Sequence, residues 1–206
     1  RNKRSVTIDF STKDGADLVR QLAAKADILI ENFKPGGLQK YGLDYASIAA
    51  FNPGIIYCSI TGFGQTGPYS HRSGYDFLIQ GMGGLMSITG QPDGSPGSGP
   101  MKVGVAVCDL FTGMFAANAA LAALAYRSRT GIGQHIDCAL LDSQISMLAN
   151  QSANWLNAEI CPGRMGNSHP SVVPYTVYEA KDGFVIIACG NDKQFIRLTA
   201  ALGIPA

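Results

Sequence analysis

Ile55-Ile-Tyr-Cys-Ser-Ile60 runs directly into Thr61-Gly-Phe-Gly-Gln-Thr-Gly-Pro68, an apolar run without polar alternation followed by a loop rich in glycine. Continuous apolar runs bounded by turn residues suit strands buried on both faces, and such strands belong to parallel sheets. Upstream, Ala26-Asp-Ile-Leu-Ile30 has the same character. It follows Lys13 to Lys25, where Ala16, Leu18, Val19, Leu22 and Ala23 recur at helical spacing, and the β-branched Ser5-Val-Thr-Ile-Asp-Phe10 reads as a further strand. Tyr45 to Phe51 supplies the helix before Ile55. Strand and helix therefore alternate, which predicts an α/β fold with a Rossmann-like, mainly parallel sheet covered by helices on both faces. Ligands of such sheets bind at the carboxyl ends of the strands, here the loops Glu31 to Gly37 and Thr61 to Gly74.

Beyond that core, Tyr75 to Met86 reads as a helix closed by Gly83-Gly84, and Thr89 to Pro100 as an aperiodic loop. A helix from Leu110 to Ser128, the turn Arg129 to Gly133, a strand Gln134 to Ala139 and a helix Leu141 to Asn157 follow. After Cys161-Pro-Gly163 the pattern changes. Val172 to Glu179 and Phe184 to Cys189 are β-branched runs joined by Ala180-Lys-Asp-Gly183, a hairpin pattern, and Asp192 to Leu202 is helical. Residues 1–165 are thus expected to belong to a large domain, and 170–206 to begin a smaller α+β domain. The chain opens at Arg1 without methionine and stops after Gly203-Ile-Pro-Ala206, so both ends are expected to be cut from a longer protein.

With 46% apolar and 15% charged residues, the 206-residue chain can bury a full core. Its net charge of +1 is spread without like-charge blocks, so no nucleic-acid footprint is expected. Neither a secretory signal nor an uninterrupted apolar span is legible, so no membrane partner is expected either. The five cysteines lack a Cys-x-x-Cys spacing and sit mostly in apolar runs, which predicts reduced core thiols and a cytoplasmic enzyme, or a mitochondrial-matrix one in a eukaryote.

Val103-Gly-Val-Ala-Val-Cys-Asp-Leu-Phe-Thr-Gly113 places one carboxylate, Asp109, where an extended run meets an alanine-rich helix. An aspartate there suits an N-cap, a role worth about 1 kcal/mol. It also suits a nucleophile, kept ionised by the helix N-terminus, whose amides can hold a developing oxyanion. Cys108 is the alternative nucleophile by type, but needs a histidine base. Of His71, His135 and His169, His135 fits a structural role in its strand, and the three share no metal-ligand spacing, so no metal site is expected. Gly81-Met-Gly-Gly84 follows a helix and lacks the dinucleotide-binding context. Its backbone is a candidate oxyanion donor. Tyr75-Asp76 marks a helix start.

Several segments together resemble the class III coenzyme A transferases, the CaiB/BaiF family. They are Asn2-Lys-Arg-Ser5, Ala26 to Gly36, Asn52 to Pro68, Gly74-Tyr-Asp76, Gly84-Leu-Met86, Val103 to Gly113 and Thr130-Gly-Ile-Gly-Gln134. The resemblance implies a chain considerably longer than this one, with a large Rossmann-like domain, a smaller domain, and two subunits interlinked as a homodimer. It implies that Asp109 is the nucleophile and that coenzyme A, a substrate and not a resident cofactor, is held by Asn32-Phe33-Lys34 and Lys40. Ile8, Asp9, Phe10 and Ser11, together with Arg72, Tyr75 and Asp76, would also line the coenzyme, and Asp76 matches an acidic residue near the reacting carboxylate.

Two departures bear on activity. Lys40 replaces an arginine frequent in relatives, keeping charge for the coenzyme phosphates but losing the bidentate fork. Tyr75 stands where the racemase branch has histidine, and a phenol with an ordinary pKa near ~10 is a poor exchange base near neutrality. The expected reaction is therefore transfer of coenzyme A from an acyl-CoA to a carboxylic acid through aspartyl anhydride and thioester intermediates. The alternatives are an α-methylacyl-CoA racemase and a non-catalytic coenzyme-binding fragment. Ile56 to Pro68, Val173-Pro-Tyr175, Lys181-Asp-Gly183 and Gly190-Asn191 look closest to the succinyl-CoA:glutarate branch, which implies a dicarboxylic acid. Its far end would need a cation, for which His71, Arg72 and Arg164 are candidates.

Overall fold

The computed structural model describes residues 2–204. They form two compact units. The first comprises residues 2–83 and 104–149, the second 84–103 and 150–204.

The first unit is a three-stranded parallel sheet in the order β1 (Ile28–Glu31), β2 (Ile56–Thr61), β3 (Gln134–Ala139). Strand β2 is central, and its alternating side chains serve two layers. On one face Ile55 and Tyr57 enter a cluster with Ala23, Leu38, Leu43 and Ile48, built on α1 (Lys13–Ala23), a 3₁₀ turn at Gln39–Tyr41 and α2 (Tyr45–Ala49). On the other, Ile56 meets Ala120 and Ala123, and Cys58 meets Ala116, all on α5 (Val107–Thr130). Alanines at these positions let the long helix lie close to the sheet. Ile55, Ile56 and Cys58 are fully buried, and each isoleucine stabilises the fold by about 1.5–3 kcal/mol. The buried Tyr57 hydroxyl donates to the Leu43 carbonyl at 2.8 Å. Arg127, near the C-terminus of α5, pairs with Asp27 at 2.9 Å and donates to the Gly54 carbonyl at 3.2 Å, tying the helix to the lower edge of the sheet. α5 is long and apolar enough to cross a bilayer, but its alanine face is the core of this unit. Helices α3 (Asp76–Met82) and α6 (Leu140–Met147) complete it, with Ile79, Cys108 and Leu140 in one cluster.

In the second unit, the hairpin β4 (Tyr175–Ala180) and β5 (Gly183–Ala188) pairs Tyr175 with Ala188 and Ala180 with Gly183. It is accompanied by α4 (Leu85–Ile88), α7 (Asn150–Ala158) and α8 (Asp192–Ala201), whose first turn is capped by the Asn191 side chain. Arg164 pairs with Asp93 and donates to the Ser87 carbonyl, which fixes the 89–100 loop within this unit.

The structure differs from the sequence reading at several points. Ser5 to Phe10 forms no strand; among the described residues its backbone joins no sheet, and a lone extended segment is left hydrated. The helix expected over 141–157 is two, broken at Ala149, which takes a positive φ of 46°. The helix expected over 75–86 ends at Gly83, and α4 follows as a separate turn. Helix α5 begins three residues before Leu110, at Val107. Residues 84–103 and 150–169 group with the hairpin and α8 in the second unit.

Candidate active site

The loop that leaves β2 doubles back so that Gly62 lies against Gly74; a Cβ on Gly62 would sit 2.4 Å from the Gly74 Cα. No side chain fits between these backbones, and the crossing delivers Tyr75 and Asp76 to the carboxyl end of the sheet. Helix α5 brings Asp109 to the same place. A cleft of about 510 Å³ results, lined by Asn32, Phe33 and Lys34 from the loop after β1, by Arg72, Tyr75 and Asp76, and by Asp109 and Gly113. Gly113, one turn beyond Asp109 on the same helix face, has open space where a side chain would stand.

The start of α5 departs from expectation. Asp109 is not its cap. Ala106 occupies that position with no side-chain hydrogen bond, and Asp109 is the third helical residue. The capping acceptor is Asp76, 33 residues earlier: its Oδ1 accepts from the amides of Cys108 at 2.7 Å and Asp109 at 3.3 Å. Its Oδ2 accepts from the Nε2 of Gln80 at 2.6 Å. These two amides are therefore occupied and are not the free oxyanion donors that the sequence reading offered. Nor does Gly81-Met-Gly-Gly84 line the cleft; Gly83 abuts Gln144 instead.

Two adjacent residues are separated by this environment. Cys108 is fully buried, and burial, then the Asp76 carboxylate, pushes its thiol up to about 12. It is a neutral core thiol at physiological pH and a poor nucleophile. Asp109 is exposed to the cleft, and partial burial, followed by Asp76, raises its carboxyl above the ordinary range. A carboxylate held at a cost in an open cleft is more basic and more nucleophilic than one locked in a salt bridge.

The remaining candidates fall into two groups. Phe33 packs edge-on against Phe10 at 5.5 Å, Phe10 packs on Tyr41 at 5.3 Å, and the Lys40 ammonium stands 4.7 Å from the Tyr41 ring centroid. Lys40 and Phe10 are therefore linked to the cleft through Phe33 without lining it. Ile8, Asp9 and Ser11 do not line it either; Asp9 accepts from the Ser11 hydroxyl and amide, which lowers its own carboxyl. Among the three candidate cations, Arg72 lines the cleft, leaning over the Tyr69 ring at 4.3 Å, whereas His71 does not, and Arg164 is engaged with Asp93 in the second unit. His135 is structural, stacked on Tyr45 and within 3.0 Å of the Ser59 hydroxyl. Sequence reasoning missed Gln80. Its i,i+4 spacing from Asp76 on α3 was the available signal.

A succinate–glutarate CoA-transferase of Agrobacterium fabrum is 56% identical over 206 residues, covering all of this chain and 50% of that protein. A succinyl-CoA:glutarate CoA-transferase of Mus musculus is 46% identical over 205 residues, covering all of this chain and 46% of that one. The crystal structure of a CaiB/BaiF family protein from Brucella suis matches with a TM-score of 0.87 at 57% identity, over 99% of this chain and 53% of that chain. The chain spans about half the length of the curated relatives it matches. The family model described as CoA-transferase family III matches residues 1–206, and the chain belongs to that family.

Proposed function

We propose that the full-length protein transfers coenzyme A from an acyl-CoA to a dicarboxylic acid, with Asp109 as the covalent nucleophile. The observation that carries this reading is the pairing of an accessible, raised carboxylate with a buried, neutral thiol one residue away, at a cleft supplied with Asn32, Phe33, Lys34 and Arg72. A carboxylate oxygen of Asp109 attacks the thioester carbonyl, the carbon–sulfur bond breaks, and coenzyme A leaves as thiolate from a mixed anhydride. The thiolate then attacks the aspartyl carbonyl, and the donor acid departs as carboxylate, leaving an aspartyl thioester. An acceptor carboxylate attacks that thioester, and the same steps in reverse return Asp109 and the new acyl-CoA. Splitting the exchange in this way avoids direct attack of one weak carboxylate on a distant thioester.

Phe33 offers an aromatic face and Lys34 a point charge for the nucleotide end of coenzyme A, with Lys40 behind them. Arg72 is the cation suited to the far carboxylate of the acid. Coenzyme A is substrate throughout. A homodimer is supported by the outer side of α5, where Leu110, Met114 and Leu121 are each at least 60% exposed, an apolar face of the kind that subunits cover.

The test is an assay of full-length enzyme with succinyl-CoA against acids matched in length with one or two carboxylates, in deuterated buffer. The expected result is transfer that favours dicarboxylates, a preference lost in Arg72→Ala, with no exchange at the α-carbon. Rapid α-proton exchange without transfer would assign the protein to the racemases instead.

A further inference from the structure

Asp76 holds the start of α5 only if its own carboxylate is correctly turned, and the group that turns it is Gln80. Gln80 is fully buried on α3, four residues after Asp76, and its Nε2 lies 2.6 Å from Asp76 Oδ2. The other oxygen, Oδ1, is thereby presented to the amides of Cys108 and Asp109. Ile79, the neighbour of Gln80, is equally buried and packs with Cys108 and Leu140, so α3 is anchored against the first turn of α5. The chain of contacts runs from a core amide, through an anionic cap, to the backbone that carries the nucleophile. We propose that Gln80 is a positioning residue for the transfer reaction, one that fixes Asp76 as a remote cap and so leaves the Asp109 carboxylate uncapped and directed into the cleft.

Without the Gln80 donor, the Asp76 carboxylate is free to rotate or to recruit water. The first-turn amides of α5 then lose their fixed acceptor, and Asp109, three residues into the helix, becomes the nearest alternative carboxylate. A nucleophile that folds back onto its own helix end is lost to the substrate. The effect falls on the chemical step and not on coenzyme binding, since Phe33 and Lys34 lie on a different loop. This rests on Asp109 being the nucleophile, and the experiment separates the two claims.

The measurement compares full-length wild type, Gln80→Met, Asp76→Asn and the double variant for kcat, for the KM of acyl-CoA, and for the rate at which hydroxylamine traps the acyl-enzyme. Methionine keeps the length and bulk of glutamine and removes the donor. Gln80→Met is expected to lower kcat and the trapping rate together by about tenfold or more, with KM changed by less than about twofold. The double variant is expected to be no slower than Asp76→Asn alone, because Gln80 acts through Asp76. If methionine there prevents folding, Gln80→Glu keeps size and polarity while facing Asp76 with an acceptor, and is expected to show the same split between kcat and KM. Wild-type kcat in the folded variant, or losses that multiply in the double variant, would overturn the proposal while leaving the transferase reading in place. An inactive, untrappable wild type would overturn both.

Discussion

Helices α1 and α5 satisfy their first-turn amides in opposite ways. In α1 the cap is local: the Thr12 side chain accepts from the Gly15 amide at 3.1 Å, with Asp14 in the first turn. In α5 the residue at the cap position is Ala106, which has no side chain to offer, and the acceptor arrives from Asp76 on another helix. A local cap stabilises a helix and does nothing else. A remote cap satisfies the same amides while leaving the helix's own carboxylate, Asp109, free for chemistry, and it sets a second negative charge beside it. The contrast separates stability from function. Changes at Thr12 should move the first alone, and changes at the start of α5 should move the second.

The largest effect is expected from Asp109→Ala in the full-length protein, which removes the covalent route and abolishes transfer. Because Asp109 is not the cap, no cap energy is lost with it. Its folded carboxyl is raised, so the stabilising protonated form is present at low pH and is lost as pH rises through the folded pKa. Asp109→Asn should therefore melt above wild type at neutral pH and level with it in strong acid, as differential scanning calorimetry would show. Asp109→Ala melting well below Asp109→Asn at neutral pH would restore the capping role, since asparagine caps and alanine does not.

Asp76→Asn keeps an acceptor oxygen for Cys108 and removes the charge. It is expected to lower kcat at least as much as Gln80→Met does, by about tenfold or more, and to move the acid limb of the pH–rate profile downward, since one cause of the raised Asp109 carboxyl is gone. Lys34, Arg72 and Tyr75 also face this cleft and remain in place. An upward shift of that limb would break the account of Asp76.

A smaller change is expected from Lys34→Ala, which should raise the KM for acyl-CoA several-fold while kcat holds, as for a phosphate contact made equally in ground and transition states. Thr12→Ala gives the smallest effect on chemistry. It should cost about 1 kcal/mol of stability, read by denaturant unfolding, with kcat and KM unchanged. A loss of activity in that variant would erase the contrast between the two helices.

What was legible in the sequence follows from the range of the forces. The two-faced burial of β2 showed in Ile55 to Ile60, because a strand's layers are written in its own residues. Asp109 was legible as a placed carboxylate, and the local reading assigned it the cap. The true cap was illegible: Asp76 and Cys108 are 32 residues apart, and no local pattern links them. Ser5 to Phe10 carries strand propensity, yet a strand exists only with a neighbour, and its own residues do not specify one. The break at Ala149 lies in Leu148-Ala-Asn150, without glycine or proline to announce it. Lys40 was counted among coenzyme contacts through the family resemblance, and its place behind Tyr41 and Phe10 required the packed structure.

The most direct test traps the intermediate. Full-length enzyme is incubated with acyl-CoA, quenched with hydroxylamine, digested, and its peptides are sequenced by mass spectrometry. The aspartyl thioester should be converted to a hydroxamate at Asp109, with coenzyme A released in equal amount and no label on the buried Cys108. Label on Cys108, or full transfer activity with Asp109 unmodified, would contradict the assignment of Asp109 as the nucleophile.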